Sequence, residues 1–337
     1  MSRILYVGLD NKGGPAAIGK YLRRLAEADG HEFVFATKFA HHGEREGWAK
    51  TLDQVGRGAP PDIIIFHQWP VPSLLERFPK ALAYWLPMYE EITERSLELA
   101  RSHAMAVVAP TIGVADFFTD VGAEVHMVRW SVDKPVRAKG RGGRYWFFPA
   151  RTGGHNGRKN VHLFLSAFRK TYFERAPRVV ISMVPGAQRK HKLPEGCEFA
   201  WAKNQDEYQE LIRGAEWLIS PSNTSGIELS VIDALHSGTA VLGTDCHPFT
   251  DHIYDGWNGL LAPSLEFKHG HLGIPKVEDG RVVSAYSTPI HRPTLEGLVS
   301  TLGKMASSRA PRIDYVGLAE RKKNFEKFWS QLFRRVL

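Results

Sequence analysis

Cysteine is nearly absent: Cys197 and Cys246 are the two in 337 residues, too few for a disulfide framework, which favours a reducing compartment. No run approaches 18 consecutive apolar residues, so no membrane-spanning helix is expected. Secretion and lipidation signals are also missing, because the short apolar run near Met1 is ended by Asp10, Asn11 and Lys12. The expectation is a cytoplasmic protein, or one that touches a membrane only peripherally. No internal repeat or low-complexity tract occurs, and 43% hydrophobic with 24% charged residues excludes a disordered, collagenous or coiled-coil chain. The 15 histidines, among them His41, His42, His191, His269 and His271, lack cysteine or carboxylate partners at zinc spacing, so no metal centre is expected.

What is present is an alternation of short β-rich runs with helix-period segments, the pattern of parallel strands joined by helical crossovers. Ile4–Val7, Phe33–Ala36, Ile63–Phe66, Ala106–Ala109 and Val125–Val128 form a first series. Between its first two runs Pro15 suits a first helical turn, Ile18, Leu22 and Leu25 share a face, and Gly30 ends the helix. Tyr145–Phe148, Val179–Met183, Phe199–Trp201, Trp217–Ile219 and Ala240–Gly243 form a second series. The expected fold class is therefore α/β, with two facing Rossmann-like doubly wound domains over 1–135 and 144–312, and a helix over 313–337 returning to the first. The boundary falls in a basic, Gly-rich link, Asp133–Gly143. Residues 264–292 are rich in His, Gly and Pro with little periodicity, and are expected to form a long functional or mobile excursion.

Open α/β sheets bind ligands at the carboxyl ends of their strands, so the cleft between two such domains is the expected site. After the first strand, Gly13 and Gly14 precede a helix: either a phosphate approaches their backbone, or they make an ordinary tight turn. In the second domain Arg151 follows a strand and Lys159 stands at a helix start, both placed to clamp a diphosphate. From Lys134 to Phe173 there are ten Lys or Arg and no acid; this calls for an anionic partner, although a basic linker accounts equally for its first half. Next, Ser225, Gly226, Ile227, Glu228 and Leu229 lead into a helix whose unpaired amides suit an anion. Asp233 either accepts hydrogen bonds from a sugar diol or lies on a solvated face. Trp201 and Lys203, after another strand, are candidate base contacts. His67, after the third strand, is either an acceptor-side residue or a buried, hydrogen-bonded one.

Taken together these segments resemble the GT-B glycosyltransferases, specifically the family 4 retaining group that uses nucleotide sugars. The likeness runs from Gly13–Gly14 through Pro61–Ile63, Val128–Asp133 and Arg151 to Arg158–Asn160. It is strongest over Ser220–Pro263, with Ala234–Val241 and Asp255–Leu261. It implies that Arg151 and Lys159 neutralise the diphosphate of a UDP- or GDP-sugar, with Gly14 adding a backbone contact, and that no tightly bound cofactor is needed. Asp233 matches the second carboxylate of the family's paired-glutamate signature and would hold the ribose hydroxyls. The first is replaced by Ser225, for which Glu228 is a candidate compensation. Cys246 and His247 stand where the family often has two glycines, and the family's histidine near the end of the first domain's fourth strand is not evident around Tyr84–Pro87. No Asp-x-Asp pair for a metal-bound diphosphate occurs, so metal-independent transfer is expected, with the leaving phosphate receiving the acceptor proton.

For the acceptor, charge is the guide. Lys and Arg number 44 against 36 Asp and Glu, a formal net charge of +8, and Arg312–Leu337 contributes seven basic against three acidic residues. Such surfaces attract polyanions. DNA carrying a hydroxymethylated base is the first expectation, a glycan or lipid-linked glycan at an anionic membrane surface the second, and a small molecule the third. A non-catalytic nucleotide-sugar or nucleic-acid binding protein is the reading of another class.

Overall fold

Strands and helices alternate along the chain to build two parallel six-stranded sheets. The computed structural model describes residues 1–9, 14–38, 55, 58–67, 70–87, 92, 94–131, 145–151, 157–188, 191–223, 227–267, 276–278, 281–283, 290–308, 310–311, 313 and 315–335. The chain divides into two compact units. One comprises Met1–Asp133, Pro275–Thr288 and Glu320–Leu337; the other comprises Lys134–Ile274 and Pro289–Ala319.

In the first unit the strands β1 (Arg3–Leu9), β2 (Glu32–Lys38), β3 (Ile63–His67), β4 (Leu82–Leu86), β5 (Ala106–Ala109) and β6 (Val125–Met127) lie in the order 2-1-3-4-5-6. Helices α1 (Gly14–Ala28), α2 (Pro72–Arg77), α3 (Glu94–Ser102) and α4 (Ile112–Asp120) separate them. All five residues of β3 are buried, as a parallel strand covered on both faces requires. Leu5, Val7, Ile64, Phe66 and Trp85 pack one face against Leu74, Leu97, Val114 and Phe118. Tyr6 lies on the opposite face, its ring 4.9 Å from that of Phe35, and a side chain at Gly19 of α1 would run into both rings. Strand β4 is missing from the series of apolar runs because Leu-Ala-Tyr-Trp-Leu contains no β-branched residue, although the family resemblance puts a fourth strand near Tyr84–Pro87.

In the second unit β7 (Tyr145–Arg151), β8 (Arg178–Met183), β9 (Cys197–Ala200), β10 (Trp217–Ser220), β11 (Ala240–Thr244) and β12 (Gly259–Ala262) lie in the order 12-11-10-7-8-9. Its helices are α5 (Val161–Lys170), α6 (Pro185–Gln188), α7 (Gln205–Arg213), α8 (Leu229–His236), α9 (Phe249–His252) and α10 (Leu295–Ser307). Side-chain alternation along β7 feeds two cores. Trp146 and Phe148 join Phe164, Leu165, Leu298 and Leu302, whereas Phe147 joins Tyr208, Ile212, Val231 and Leu235.

Within 264–293 the described residues form two short antiparallel ladders, and the rest of this segment lies outside the described residues. Strand β13 (Ser264–Phe267) pairs with β16 (Ile290–Pro293), and β14 (Lys276–Glu278) with β15 (Arg281–Val283). Ladders of three or four residues are too short to print a period of two in a His- and Gly-rich sequence.

The last helix, α11 (Tyr315–Arg334), supplies aromatic residues to the first unit. The Phe325 ring lies 5.1 Å from that of Tyr21 and 4.6 Å from that of Trp130. The Tyr21 hydroxyl donates to Glu326 at 2.9 Å, and Arg334 pairs with Asp29 at 2.5 Å. Trp329 is fully buried. Trp329→Ala is therefore expected to destabilise the protein by about 3–5 kcal/mol, measured as a lowered urea midpoint.

Candidate functional site

The second sheet reverses its strand order between β7 and β10: from β7 the chain proceeds to β8 and β9 on one side, then returns to β10, β11 and β12 on the other. Loops that follow two such strands diverge and leave a crevice at their carboxyl ends. Here those loops are Arg151–Asn160 and Ser220–Glu228, and they are laced together. Asn160 Nδ2 donates to the Pro221 carbonyl at 2.7 Å and also to Asn223 Oδ1. The Asn223 amide donates to the Arg158 carbonyl at 2.9 Å, and the His291 amide of β16 donates to the Asn223 carbonyl at 3.2 Å. Thr244, which ends β11, donates through Oγ1 to the Ser222 carbonyl at 2.7 Å.

Both helices that leave the crevice start from a left-handed residue. Asn160, before α5, has φ 52° and ψ 38°; Glu228, before α8, has φ 51° and ψ 60°. Neither side chain caps its own helix. Each points across the crevice instead, Asn160 to the loop after β10 and Glu228 to the loop after β7. Glu228 Oε1 accepts a hydrogen bond from Lys159 Nζ, and both side chains are buried. Ser230 Oγ donates to Glu228 Oε2 at 3.1 Å and Ser222 Oγ donates to Oε1 at 3.4 Å. Burial opposes ionisation of this carboxyl. The Lys159 charge and hydrogen bond, the Arg158 charge and the Ser230 hydroxyl together outweigh burial and hold it below the usual glutamate range.

The first turn of α8 is a second feature of the crevice. Its first intrahelical bond runs from the Val231 amide to the Glu228 carbonyl at 2.9 Å, which leaves the Leu229 and Ser230 amides without an acceptor inside the helix. Ile227, just before, is buried, and its carbonyl is held by His252 Nε2 at 3.1 Å. One turn further, Asp233 is partly buried, and no hydrogen bond to its carboxyl is found among the described residues. Burial pushes its pKa up from 3.8 to about 7.

The remaining expected site residues are distributed as follows. Arg151 is the last residue of β7 and so stands at the crevice; its side chain, with Gly13, Ser225 and Gly226, lies outside the described residues. Gly14 is the first residue of α1 in the other unit. Trp201 and Lys203 are exposed just beyond β9, where the Lys203 amide donates to Glu207 at 2.8 Å. His67 ends β3 and is buried; its Nδ1 shares a hydrogen bond with the Tyr6 hydroxyl, and its Nε2 is buried without a partner among the described residues. With only burial acting on it, its pKa is pushed down to about 3, so it is neutral. No group of three or more His, Cys, Asp or Glu able to hold a metal occurs among the described residues.

Several members of this network are not evident from the sequence. Ser222, Ser230, Thr244 and His252 lie within the stretch of strongest family likeness, but their contacts depend on which loops the sheet order brings together. Asn160 and Glu228 sit inside recognisable segments, but a left-handed residue other than glycine leaves no compositional mark.

Residues 145–268, which contain both loops of this crevice, match the family described as Glycosyl transferases group 1. No curated protein sequence matches the chain. Among solved structures, sucrose-phosphate synthase from Thermosynechococcus elongatus superposes with a TM-score of 0.73 at 11% identity, covering 100% of this chain and 99% of that one. Anabaena HepE, in complex with UDP and glucose, gives a TM-score of 0.61 at 11% identity over 98% of this chain and 100% of its own. The lipopolysaccharide outer core galactosyltransferase WaaB gives 0.63 at 13% identity, covering 99% and 98%. Residues 145–268 are thus similar to the group 1 glycosyltransferases, in a chain that has the GT-B fold.

Proposed function

We propose that this protein is a retaining glycosyltransferase that moves a sugar from a UDP- or GDP-linked donor to a hydroxyl acceptor. The observation that carries the reading is Lys159: a buried ammonium at the strand-order reversal, paired with the residue that precedes α8, whose first amides have no acceptor inside the helix. An ammonium and helix-end amides in a water-poor crevice suit a diphosphate. HepE, of the same fold, binds UDP and glucose, which supports a nucleotide sugar over a sugar phosphate.

In this reading Lys159, Arg151 at the end of β7 and the amides from Gly226 to Leu229 take up the negative charge that grows on the diphosphate. The bond from the anomeric carbon to the β-phosphate oxygen breaks as the bond to the acceptor oxygen forms. The acceptor's proton passes to the departing phosphate on the same face, so configuration is retained. Fixed cations and amides do this without rearranging during the reaction. Asp233 accepts hydrogen bonds from the ribose diol, which its unpartnered carboxyl is suited to do, and Trp201 and Lys203 flank the base. Gly13 and Gly14, read as donor contacts, and His67, read as an acceptor-side residue, all belong to the first unit.

The surplus of positive charge supports a polyanionic acceptor, with hydroxymethylated-base DNA the first choice. A glycan or lipid-linked glycan at a membrane surface is the second reading. It is favoured by WaaB, a lipopolysaccharide galactosyltransferase of the same fold. Among the described residues no helix is long and apolar enough to cross a membrane.

Lys159→Ala and Arg151→Ala are each expected to reduce donor cleavage by about 10²–10³-fold, as loss of one preorganised charge stabiliser does; release of sugar from labelled UDP- and GDP-sugars measures it, and near-normal rates in both variants would move the diphosphate elsewhere. The raised Asp233 pKa has its own signature. Between about pH 4 and 7 the folded protein holds a proton that the unfolded chain has released, so the stability this group contributes is present at acid pH and is lost as pH rises through 7. Asp233→Asn should therefore gain stability relative to wild type between pH 4.5 and 7.5 in paired urea titrations, and an unchanged difference would place the carboxyl in water. DNA retention is expected near 50 mM salt and should fall by orders of magnitude near 200 mM; absence of binding at the lower concentration would leave the glycan acceptor.

A further inference from the structure

The partner of Lys159 raises a question that the donor-binding reading alone does not answer: why the cation meant for a diphosphate is already held by a buried carboxylate. Glu228 occupies a backbone position, φ 51° and ψ 60°, that glycine adopts without strain and other residues rarely do. The turn itself needs only the residue's carbonyl, which accepts from the Val231 and Ile232 amides. What a glutamate adds there is its carboxylate.

That carboxylate is anchored independently of the lysine. Ser230 Oγ holds Oε2 and Ser222 Oγ reaches Oε1, while Ser222 is itself fixed by Thr244. Lys159 reaches Glu228 at the end of a four-carbon stem with three rotatable donors, so its ammonium can swing to a second acceptor.

We propose that Glu228 is a built-in counter-ion: it occupies Lys159 in the empty protein, and an arriving diphosphate must win the ammonium from it. This rests on the reading of Lys159 as a diphosphate ligand and goes beyond it, because it gives Glu228 a role opposite to donor binding. The anchored carboxylate keeps the buried ammonium in place when no nucleotide is present. It then repels the bound phosphates and limits how tightly a nucleoside diphosphate, the leaving group of the reaction, is held. The device favours turnover over retention of the product.

The test is calorimetric titration of wild type, Lys159→Ala and Glu228→Gln with UDP and with GDP, each variant's thermal melt being recorded in parallel. Glu228→Gln keeps the shape and removes the charge. It is expected to tighten the nucleotide that wild type prefers by about tenfold, with a gain that shrinks as salt is raised, while Lys159→Ala weakens the same nucleotide at least tenfold. Should Glu228→Gln lower the melting temperature, Glu228→Gly, which relieves the left-handed backbone, carries the same expectation. If Lys159→Ala weakens binding and both Glu228 variants weaken it too, Glu228 merely props the lysine and the counter-ion proposal is wrong, though the donor reading stands. If Lys159→Ala binds both nucleotides as wild type does, the donor reading has failed and the proposal falls with it.

Discussion

The crevice of the second unit is built on one buried contact, the ammonium of Lys159 against the carboxylate of Glu228. It joins the loop after β7 to the loop after β10, the two places where the order of the second sheet reverses. Parallel sheets of this kind open a crevice at the reversal whatever their sequence. What this sequence adds is a set of cross-links that hold the crevice's two walls in fixed register: the ion pair, the Asn160 amide bonded to Pro221 and Asn223, and the Asn223 backbone bonded to Arg158 and His291.

The same contact explains where the strain and unusual electrostatics of the second unit are concentrated. Asn160 and Glu228 are left-handed and flank the crevice, each a local cost of roughly 1 kcal/mol or more that its side-chain contacts offset. A buried ion pair is poor evidence of stabilisation, because removing two charges from water consumes much of their attraction. Its value here is positional: it fixes a cation at the mouth of two strands where helix-end amides also converge. Asp233, one turn into α8, belongs to the same pattern of carboxyl chemistry altered by burial. His67 shows the other outcome, a buried imidazole held neutral and tied to Tyr6 within the first unit's core.

Much of the architecture was legible in the sequence because burial on both faces of a parallel strand demands continuous apolar runs, and Ile63–Phe66 or Val179–Met183 admit no other reading. Strand β4 shows only through the family resemblance, since Leu82–Leu86 lacks β-branched residues, and the ladders within 264–293 are too short to show alternation. In the site, Lys159, Asp233 and the α8 start could be named because they follow strands and sit in segments that resemble a family pattern. The pairing of Lys159 with Glu228 was hidden, since the two stand in loops that only the sheet order brings together. The serines and Thr244 that anchor Glu228 were hidden for the same reason, and Arg151, although correctly placed at a strand end, has its side chain outside the described residues.

The central claim is that a diphosphate is bound where β7 and β10 part and takes Lys159 from Glu228. A crystal structure of the protein grown with UDP, or with GDP if that nucleotide binds more tightly, tests it directly. The account predicts a phosphate oxygen about 2.8 Å from Lys159 Nζ, with that ammonium drawn away from a carboxylate that stays on Ser222 and Ser230. Phosphates bound at any other place, with Lys159 still closed on Glu228, would contradict it.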